Sequence, residues 1–123
     1  MTRINVVHPR MLSDKHLGAE YRELPRVFGL VRRAQERGET PVATDRYILG
    51  PGHVRFFYTR LGFILDRYQA LCHECRARGR RVSFSYPGDL VIGIHPEWFG
   101  DWEPTPEAVE LNIKRINERG GLK

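Results

Sequence analysis

The period of the apolar side chains is the feature that most constrains this fold. Between residues 14 and 37 an apolar residue recurs at every third or fourth position, at Leu17, Tyr21, Leu24, Phe28 and Val31. That spacing returns side chains to one side of an α-helix, so the segment is predicted to be a helix with one buried stripe. Ser13 supplies an N-cap, and Gly38 supplies a stop after Arg37.

Two later segments have the same period and predict two more helices. The second covers residues 54–79 and is either continuous or broken near Gly62, and the third is capped by Thr105 and ends at Gly120. Residues 80–104, which lie between them, have no sustained helical period. Together these patterns predict an all-α fold with three main helices and long irregular loops.

The irregular segment contains two patterns of its own. Apolar and serine residues alternate over residues 82–86, which is the pattern of a short strand. Trp98, Phe99 and Trp102 either anchor the packing of the segment or form a platform on which bases stack. Packing is the preferred interpretation, because it is the commoner role of such side chains.

The totals predict one globular domain with an excess of positive charge. A chain of 123 residues, 41% of them hydrophobic, is long enough for one modest core, so residues 1–123 are predicted to form a single domain. The formal net charge is +5, and only three of the 20 basic residues are lysines. Arginine binds phosphate with a bidentate fork, which suits a nucleic-acid partner, although a GC-rich genome also favours arginine.

Other features predict a cytoplasmic protein without a metal. No apolar run approaches the ~20 residues that span a bilayer, and residues 1–10 are too short and mixed for a signal peptide. Cys72 and Cys75 have the spacing of half a zinc site but lack a matching second pair. The preferred interpretation is that both thiols pack on one side of a helix.

A charge cluster interrupts the first predicted helix. Arg22 and Arg26 flank Glu23 within about one turn, and Pro25 removes a backbone donor there, at an interior cost of ~3 kcal/mol. One interpretation is a surface lattice of ion pairs on a bent helix, which is what most helical ion pairs are. The other is a functional site, because local rules are broken more often at such sites.

The N-terminal residues, 1–12, are predicted to form an extended arm. Ile4 and Val6 are expected to pack against the core, so that Thr2 and Arg3 are held in place rather than frayed. His53, at the start of the second helix, is either a structural polar group or a phosphate contact, and the structural role is preferred.

Four motifs then occur in order along the chain. They are M-T-R-I-N at 1–5, H-L-x-A-E-Y-R-E-L-P-R-V-F-G at 16–29, I-L-G-P-G-H-V-x-F-F-Y at 48–58 and G-D-W-x-P at 100–104. In this order the motifs resemble those of the pyrimidine-dimer DNA glycosylases, the phage-type endonuclease V enzymes of UV repair. The resemblance covers nearly the whole chain. It implies a compact, mainly helical single domain of three helices, in agreement with the periodicity.

The resemblance also implies an activity and a set of site residues. Members of the family remove a damaged base and then cut the strand at the abasic site, through the amine that is exposed when the initiator methionine is removed. That amine maps onto Thr2, and the family's essential carboxylate maps onto Glu23. No metal or cofactor is implied. The implied DNA-binding residues are Arg3, His16, Arg22, Arg26, Arg115 and Arg119.

The chemistry explains why these residue types suit the reaction. An α-amine has a pKa of about 7.7–8.0, so a useful neutral fraction is present near physiological pH. The neutral amine is expected to attack C1′ of the sugar and form an imine. Glu23 is expected to stabilise the cationic sugar and to transfer protons during imine formation, ring opening and β-elimination. DNA binding is expected to depend strongly on salt, with Gly18 and Ala19 permitting close approach of the DNA.

The implied partner is double-stranded DNA that carries damaged pyrimidines or abasic sites, and the expected state is a monomer. The implied location is a bacterial or phage-infected cell, at the nucleoid when DNA is bound. Dimer-specific relatives continue into an aromatic, basic tail, whereas this sequence ends at Lys123. The resemblance therefore supports the lyase chemistry more strongly than it supports pyrimidine dimers as the lesion. The alternatives are a glycosylase/lyase for another damaged base and an inactive basic DNA-binding module.

Overall fold

The computed structural model describes residues 3–42, 46–82 and 88–123. Within these ranges the regular structure is helical and contains no β-strand, so the predicted all-α class is confirmed. The α-helices are α1 (Asp14–Glu23), α2 (Arg26–Glu36), α3 (His53–Phe56), α4 (Leu61–Ala77), α5 (Gly88–Val91) and α6 (Pro106–Glu118). Pro9–Met11 and Pro96–Trp98 form 3₁₀ turns.

Proline divides the first predicted helix into α1 and α2. The amide of Leu24 still donates to the carbonyl of Glu20 at 2.8 Å. Pro25 has no amide hydrogen, so the next helical hydrogen bond cannot form, and α2 begins at the following residue. The prediction of one kinked helix is therefore corrected to two short ones. Both predicted ends are present, because the Ser13 hydroxyl accepts from the amide of His16 and Gly38 has a φ of +88°.

The second predicted helix is also divided, before Gly62. Residues 57–60 form a turn between α3 and α4, and the segment around Gly100 pairs with this turn. The Gly62 amide donates to the carbonyl of Gly100 at 3.1 Å, and the Gly100 amide donates to the carbonyl of Thr59 at 3.0 Å. The third helix begins as predicted, with the Thr105 hydroxyl accepting from the amide of Ala108 at 3.1 Å.

The core lies between α1, α2 and α4 and continues onto α6. Leu17, Leu24, Phe28 and Val31 of the predicted stripe are buried, and Tyr21 stacks on Tyr68 of α4 with ring centroids 5.9 Å apart. The stripe is therefore the core-facing side of the first two helices, as its period indicated. Burial of this apolar surface is the main force that holds the helices together.

The aromatic side chains of the irregular segment pack against this core. Trp98 is buried, and Trp102 stacks on Tyr47 with ring centroids 5.8 Å apart. Cys72 and Cys75 are buried on α4, and burial raises the pKa of both thiols, which opposes the thiolate form that zinc requires. The contacts of the tryptophans and of the cysteines are thus those of packing residues.

Two other expectations concern residues 80–104 and the membrane. Most of the predicted strand at 82–86 lies outside the described residues, so the structure does not test it. The part of the segment that the structure describes has only the single-turn elements at 88–91 and 96–98. None of the helices in the described ranges combines the length and the hydrophobicity that a membrane crossing requires.

Candidate active site

The N-terminal arm is held in place by side chains from several helices. The amide of Ile4, which is fully buried, donates to Nε2 of His53 at 3.0 Å. Nδ1 of the same ring lies 2.8 Å from the carbonyl of Ile48. Both ring nitrogens are occupied and the ring is buried, so His53 has the structural role that was preferred, and it is not available to phosphate.

A buried polar network fixes the next residues of the arm, and we call it the arm anchor (Asn5, Glu20, Arg67 and Asn112). The guanidinium of Arg67 donates two hydrogen bonds, of 2.8 and 3.0 Å, to the carboxylate of Glu20. Asn5 donates to the same carboxylate at 2.8 Å and accepts from Asn112 at 2.9 Å. No buried side-chain nitrogen or oxygen within the described residues lacks a partner, so these desolvated polar groups are satisfied.

The arm anchor corrects the predicted orientation of the arm. Asn5 and Val7 are buried, whereas Val6 is half-exposed, so Ile4 and Val6 do not share the inward side. The amide of Val6 donates instead to Oδ1 of Asn112 at 2.8 Å, and the carbonyl of Val7 accepts from Arg67. The predicted fixation of the arm is present, but polar groups supply it together with apolar burial.

A pocket of about 180 Å³ opens beside the arm anchor. One wall is a single side of α1, because residues spaced by three, four and seven face the same way on a helix. The arm and the end of α6 form the other walls. The residues that line the pocket are Arg3, Asn5, His16, Ala19, Glu20, Glu23 and Arg119.

Charges of both signs line this pocket, two arginines (Arg3 and Arg119) and two glutamates (Glu20 and Glu23). Burial lowers the pKa of Arg3, and the charges of Arg119 and Arg115 lower it further, whereas Glu23 opposes them. Burial is also the main reason that the pKa of His16 is lowered, followed by the charges of Arg3, Lys15 and Arg119. The imidazole is therefore neutral at physiological pH, and the arginines are the groups that attract an anion.

The predicted site residues fall into three sets. The pocket brings together Arg3, His16, Glu23 and Arg119, and Arg115 lies near enough to influence Arg3. Arg22 and Arg26 are exposed and do not line the pocket. Thr2 lies outside the described residues.

Glu23 does not belong to a salt-bridge lattice. It is half-buried at the last position of α1, and among the described residues no ion pair joins it to Arg22 or Arg26. The interpretation of the charge cluster as surface ion pairs is therefore wrong. The carboxylate is instead open to the pocket that Arg3 also lines.

Two glycines mark close contacts on α1, one at the pocket and one away from it. A Cβ on Gly121 would lie 2.5 Å from the ring of His16, so the glycine lets residues 120–123 pass over this histidine. Gly18 is buried, and a Cβ there would lie 2.7 Å from the guanidinium of Arg80. Arg80 fills the space beside Gly18, so DNA on this side of α1 would meet the guanidinium of Arg80 rather than the glycine itself, whereas Ala19 lines the pocket.

Sequence reasoning missed the arm anchor and its contribution to the pocket. Glu20 lies four residues after His16 and three before Glu23, a spacing that places all three on one side of a helix. This spacing predicts that Glu20 lies on the pocket side of α1. No comparable signal pairs Glu20 with Arg67, because 47 residues separate them and only the packed fold brings them together.

Comparison with known families adds a finding to this geometry. A family model described as pyrimidine dimer DNA glycosylase matches residues 1–86. The match covers the arm, the wall of the pocket on α1 and the partners of the arm on α3 and α4. It also identifies DNA as the substrate. On the strength of this match over most of its length, the chain belongs to the pyrimidine dimer DNA glycosylase family.

Proposed function

We propose that the protein excises UV-induced pyrimidine dimers and then cuts the strand as an abasic-site lyase, with the amine of Thr2 as the nucleophile. One observation carries the proposal. Glu23 has no ion pair to Arg22 or Arg26, and it lines the same pocket as Arg3, the residue bonded to Thr2. A carboxylate and the residue that follows Thr2 in the sequence thereby line one small pocket.

The first step is displacement of the base. The neutral amine attacks C1′, the N–C1′ bond forms, and the glycosidic bond breaks with its electron pair leaving on the base. The base takes up a proton and the attacking nitrogen loses one. The C1′–O4′ bond then breaks, O4′ takes up a proton, and the nitrogen and C1′ remain joined as a protonated imine. Glu23 stabilises the positive charge that develops on the sugar and accepts protons from the amine.

The second step is β-elimination. Removal of a proton from C2′ of the imine breaks the C3′–O bond, and the 3′ phosphate leaves with that electron pair. Water then hydrolyses the imine and returns the free amine. A carboxylate that is already held by a guanidinium would serve poorly as the base, which is why the absence of an ion pair to Glu23 within the described residues supports its role.

The cations around the pocket bind the DNA backbone. Arg3 and Arg119 line the pocket, and Arg115 lies close to them on α6. Arg22 and Arg26 are exposed and able to reach phosphates beside the pocket. His16 is neutral, so it contributes a hydrogen bond rather than a charge.

The proposal includes the setting of the reaction. Residues 1–123 act as one domain and as a monomer, in the cytoplasm and at the nucleoid when DNA is bound. The basic net charge of +5 supports attraction to DNA over a distance.

Borohydride trapping on defined duplexes tests the proposal. Protein whose N-terminus is verified by mass to begin at Thr2 is mixed with a duplex that carries a cyclobutane dimer or a plain abasic site. We expect a covalent adduct and a strand break on both duplexes, and no adduct after the N-terminus is blocked. An adduct that survives the block would refute the role of Thr2.

The same experiment separates the alternatives. Reaction with the abasic duplex alone would refute dimer excision and leave a lyase that acts on another lesion. Binding without an adduct on either duplex would leave a DNA-binding module that has lost its chemistry.

A further inference from the structure

Two arginines from different parts of the chain converge over Gly18. Nη2 of Arg80 and Nη1 of Arg22 lie 2.7 and 3.2 Å from the point that a Cβ of Gly18 would occupy, so the two nitrogens are at most 5.9 Å apart. Arg22 belongs to α1, whereas Arg80 follows the end of α4. We call this pair the Gly18 clamp.

Neither guanidinium of the clamp is neutralised within the described residues. No carboxylate there lies within 4.0 Å of Arg22 or Arg80. Nη1 of Arg80 donates to the carbonyl of Asp14 at 2.6 Å, and this neutral bond fixes the side chain across α1. Two cations held this close repel each other, so an anion between them would stabilise the arrangement.

The clamp adjoins a larger basic cavity. This cavity of about 580 Å³ is lined by Lys15, Arg78, Arg80 and Lys123, with Asp14 as its acidic residue. Asp14 is paired with Arg78 at 2.8 Å, and the four cations of the lining share this one acidic side chain, which leaves the lining with an excess of positive charge. We call it the basic trough.

We propose that the Gly18 clamp binds a backbone phosphate of the DNA and that the same strand continues into the basic trough. A guanidinium fork matches phosphate, and a trough lined by separate cations suits a continuous polyanion better than a single small ion. Arg22 lies on a different side of α1 from Glu23, about 100° further round the helix, so the clamped phosphate lies on the side of α1 next to the one that faces the pocket. The inference rests on the proposed function for its DNA substrate and adds Arg80, Lys15 and Lys123 to the surface that binds it.

The choice of glycine at position 18 supports the clamp. Glycine is unfavourable in a helix interior relative to alanine, yet it stands in the middle of α1. An added methyl group would collide with the end of the Arg80 side chain, which would have to move. Gly18→Ala is therefore a variant that should favour the helix and displace the clamp.

The test is the salt dependence of DNA binding. Fluorescence anisotropy measures the Kd of an undamaged duplex over a series of sodium chloride concentrations for wild type, Arg80→Gln, Gly18→Ala and Arg37→Gln. Loss of one phosphate contact should reduce the slope of log Kd against log salt concentration by about 0.9. We expect this reduction for Arg80→Gln and weaker binding at low salt for Gly18→Ala.

Arg37→Gln is the matched control. It removes the same formal charge, but Arg37 is exposed and already paired with Glu39 at 2.7 Å, so its slope should equal that of wild type. Equal slopes for Arg80→Gln and Arg37→Gln would overturn the clamp, as would wild-type binding by Gly18→Ala. If Arg80→Gln fails to fold, the result for Gly18→Ala decides.

The test is independent of the lyase mechanism. An undamaged duplex forms no imine, so the slopes report binding alone. Failure of borohydride trapping in the wild type would refute the mechanism and leave the clamp standing. Unchanged slopes with normal trapping would refute the clamp and leave the mechanism standing.

Discussion

Glu20 and Glu23 lie one helical turn apart on α1, and both line the same pocket, yet their surroundings differ completely. Glu20 is buried, and its carboxylate accepts two hydrogen bonds from Arg67 and two from Asn5. Glu23 is half-exposed and has no ion pair to the arginines beside it. The same chemical group thus stabilises the fold at one position and is available for reaction at the other.

The difference follows from the cost of burying charge. A carboxylate removed from water must be paired and hydrogen-bonded, and once it is satisfied it has no lone pairs left for a substrate. A carboxylate that is to move protons must remain open to the solvent side of the pocket. The arm anchor therefore requires Glu20 to stay paired, whereas the proposed mechanism requires Glu23 to stay open.

Glu23→Gln should give the largest effect on activity. The amide keeps the shape of the side chain but cannot accept a proton or stabilise a cation, so incision of an abasic duplex should fall by about 10²–10⁴-fold. Single-turnover kinetics measure the loss, and urea unfolding should give a free energy close to that of wild type. Incision at the wild-type rate would refute the assignment of Glu23.

Glu20→Gln is the matched change one turn away, and its effect should be on stability. It leaves the charge of Arg67 buried without its counter-ion, so the free energy of unfolding should fall by about 3–5 kcal/mol. Urea unfolding followed by circular dichroism measures the change. If both glutamine variants were equally stable, the contrast between the two glutamates would be wrong.

Asn112→Ala should weaken the arm anchor by a smaller amount. The change leaves the amide of Val6 without its acceptor and removes the donor to Asn5, so unfolding should become easier by about 1–3 kcal/mol. Asn117→Ala, at an exposed position of the same helix, is the control and should unfold as wild type does. Equal stability of the two variants would show that the anchor is not needed to hold the arm.

Local chemistry explains how much of this fold was predictable. The helical periods, the caps at Ser13 and Thr105 and the stop at Gly38 are properties of neighbouring residues, and the structure has all of them. Pro25 was expected to bend a helix, and it divides the segment instead, because the series of backbone bonds cannot continue through it.

The site was less predictable, because long-range pairing determines it. Arg67 reaches Glu20 only after α1 packs on α4, and Asn112 reaches Asn5 across 107 positions of sequence. Alternation alone placed Val6 inward, whereas the buried polar network turned Asn5 inward instead. The role of Glu23 came from the resemblance, and its open surroundings came from the fold.

The last expected effect is a loss of stability on mild acidification, in which the arm is again the sensitive part. Burial lowers the pKa of both His53 and His16 below the ordinary value of 6.5. The unfolded chain therefore binds more protons than the folded one at pH values between the folded pKa and 6.5. Stability should be complete above pH 6.5 and decline as the pH falls toward the folded pKa.

This decline has a structural cause at the arm and a clear measurement. Protonation of His53 would remove the acceptor that Nε2 offers to the amide of Ile4, so acid should loosen the start of the chain. Urea unfolding at pH 7.5, 6.5 and 5.5 measures the dependence, above the range in which Glu39, with its pKa lowered from 4.5, titrates. His16→Gln should flatten part of the decline, and His73→Gln, at an exposed position of α4, should not. Greater stability at pH 5.5 than at 7.5 would contradict the sign derived from the buried rings.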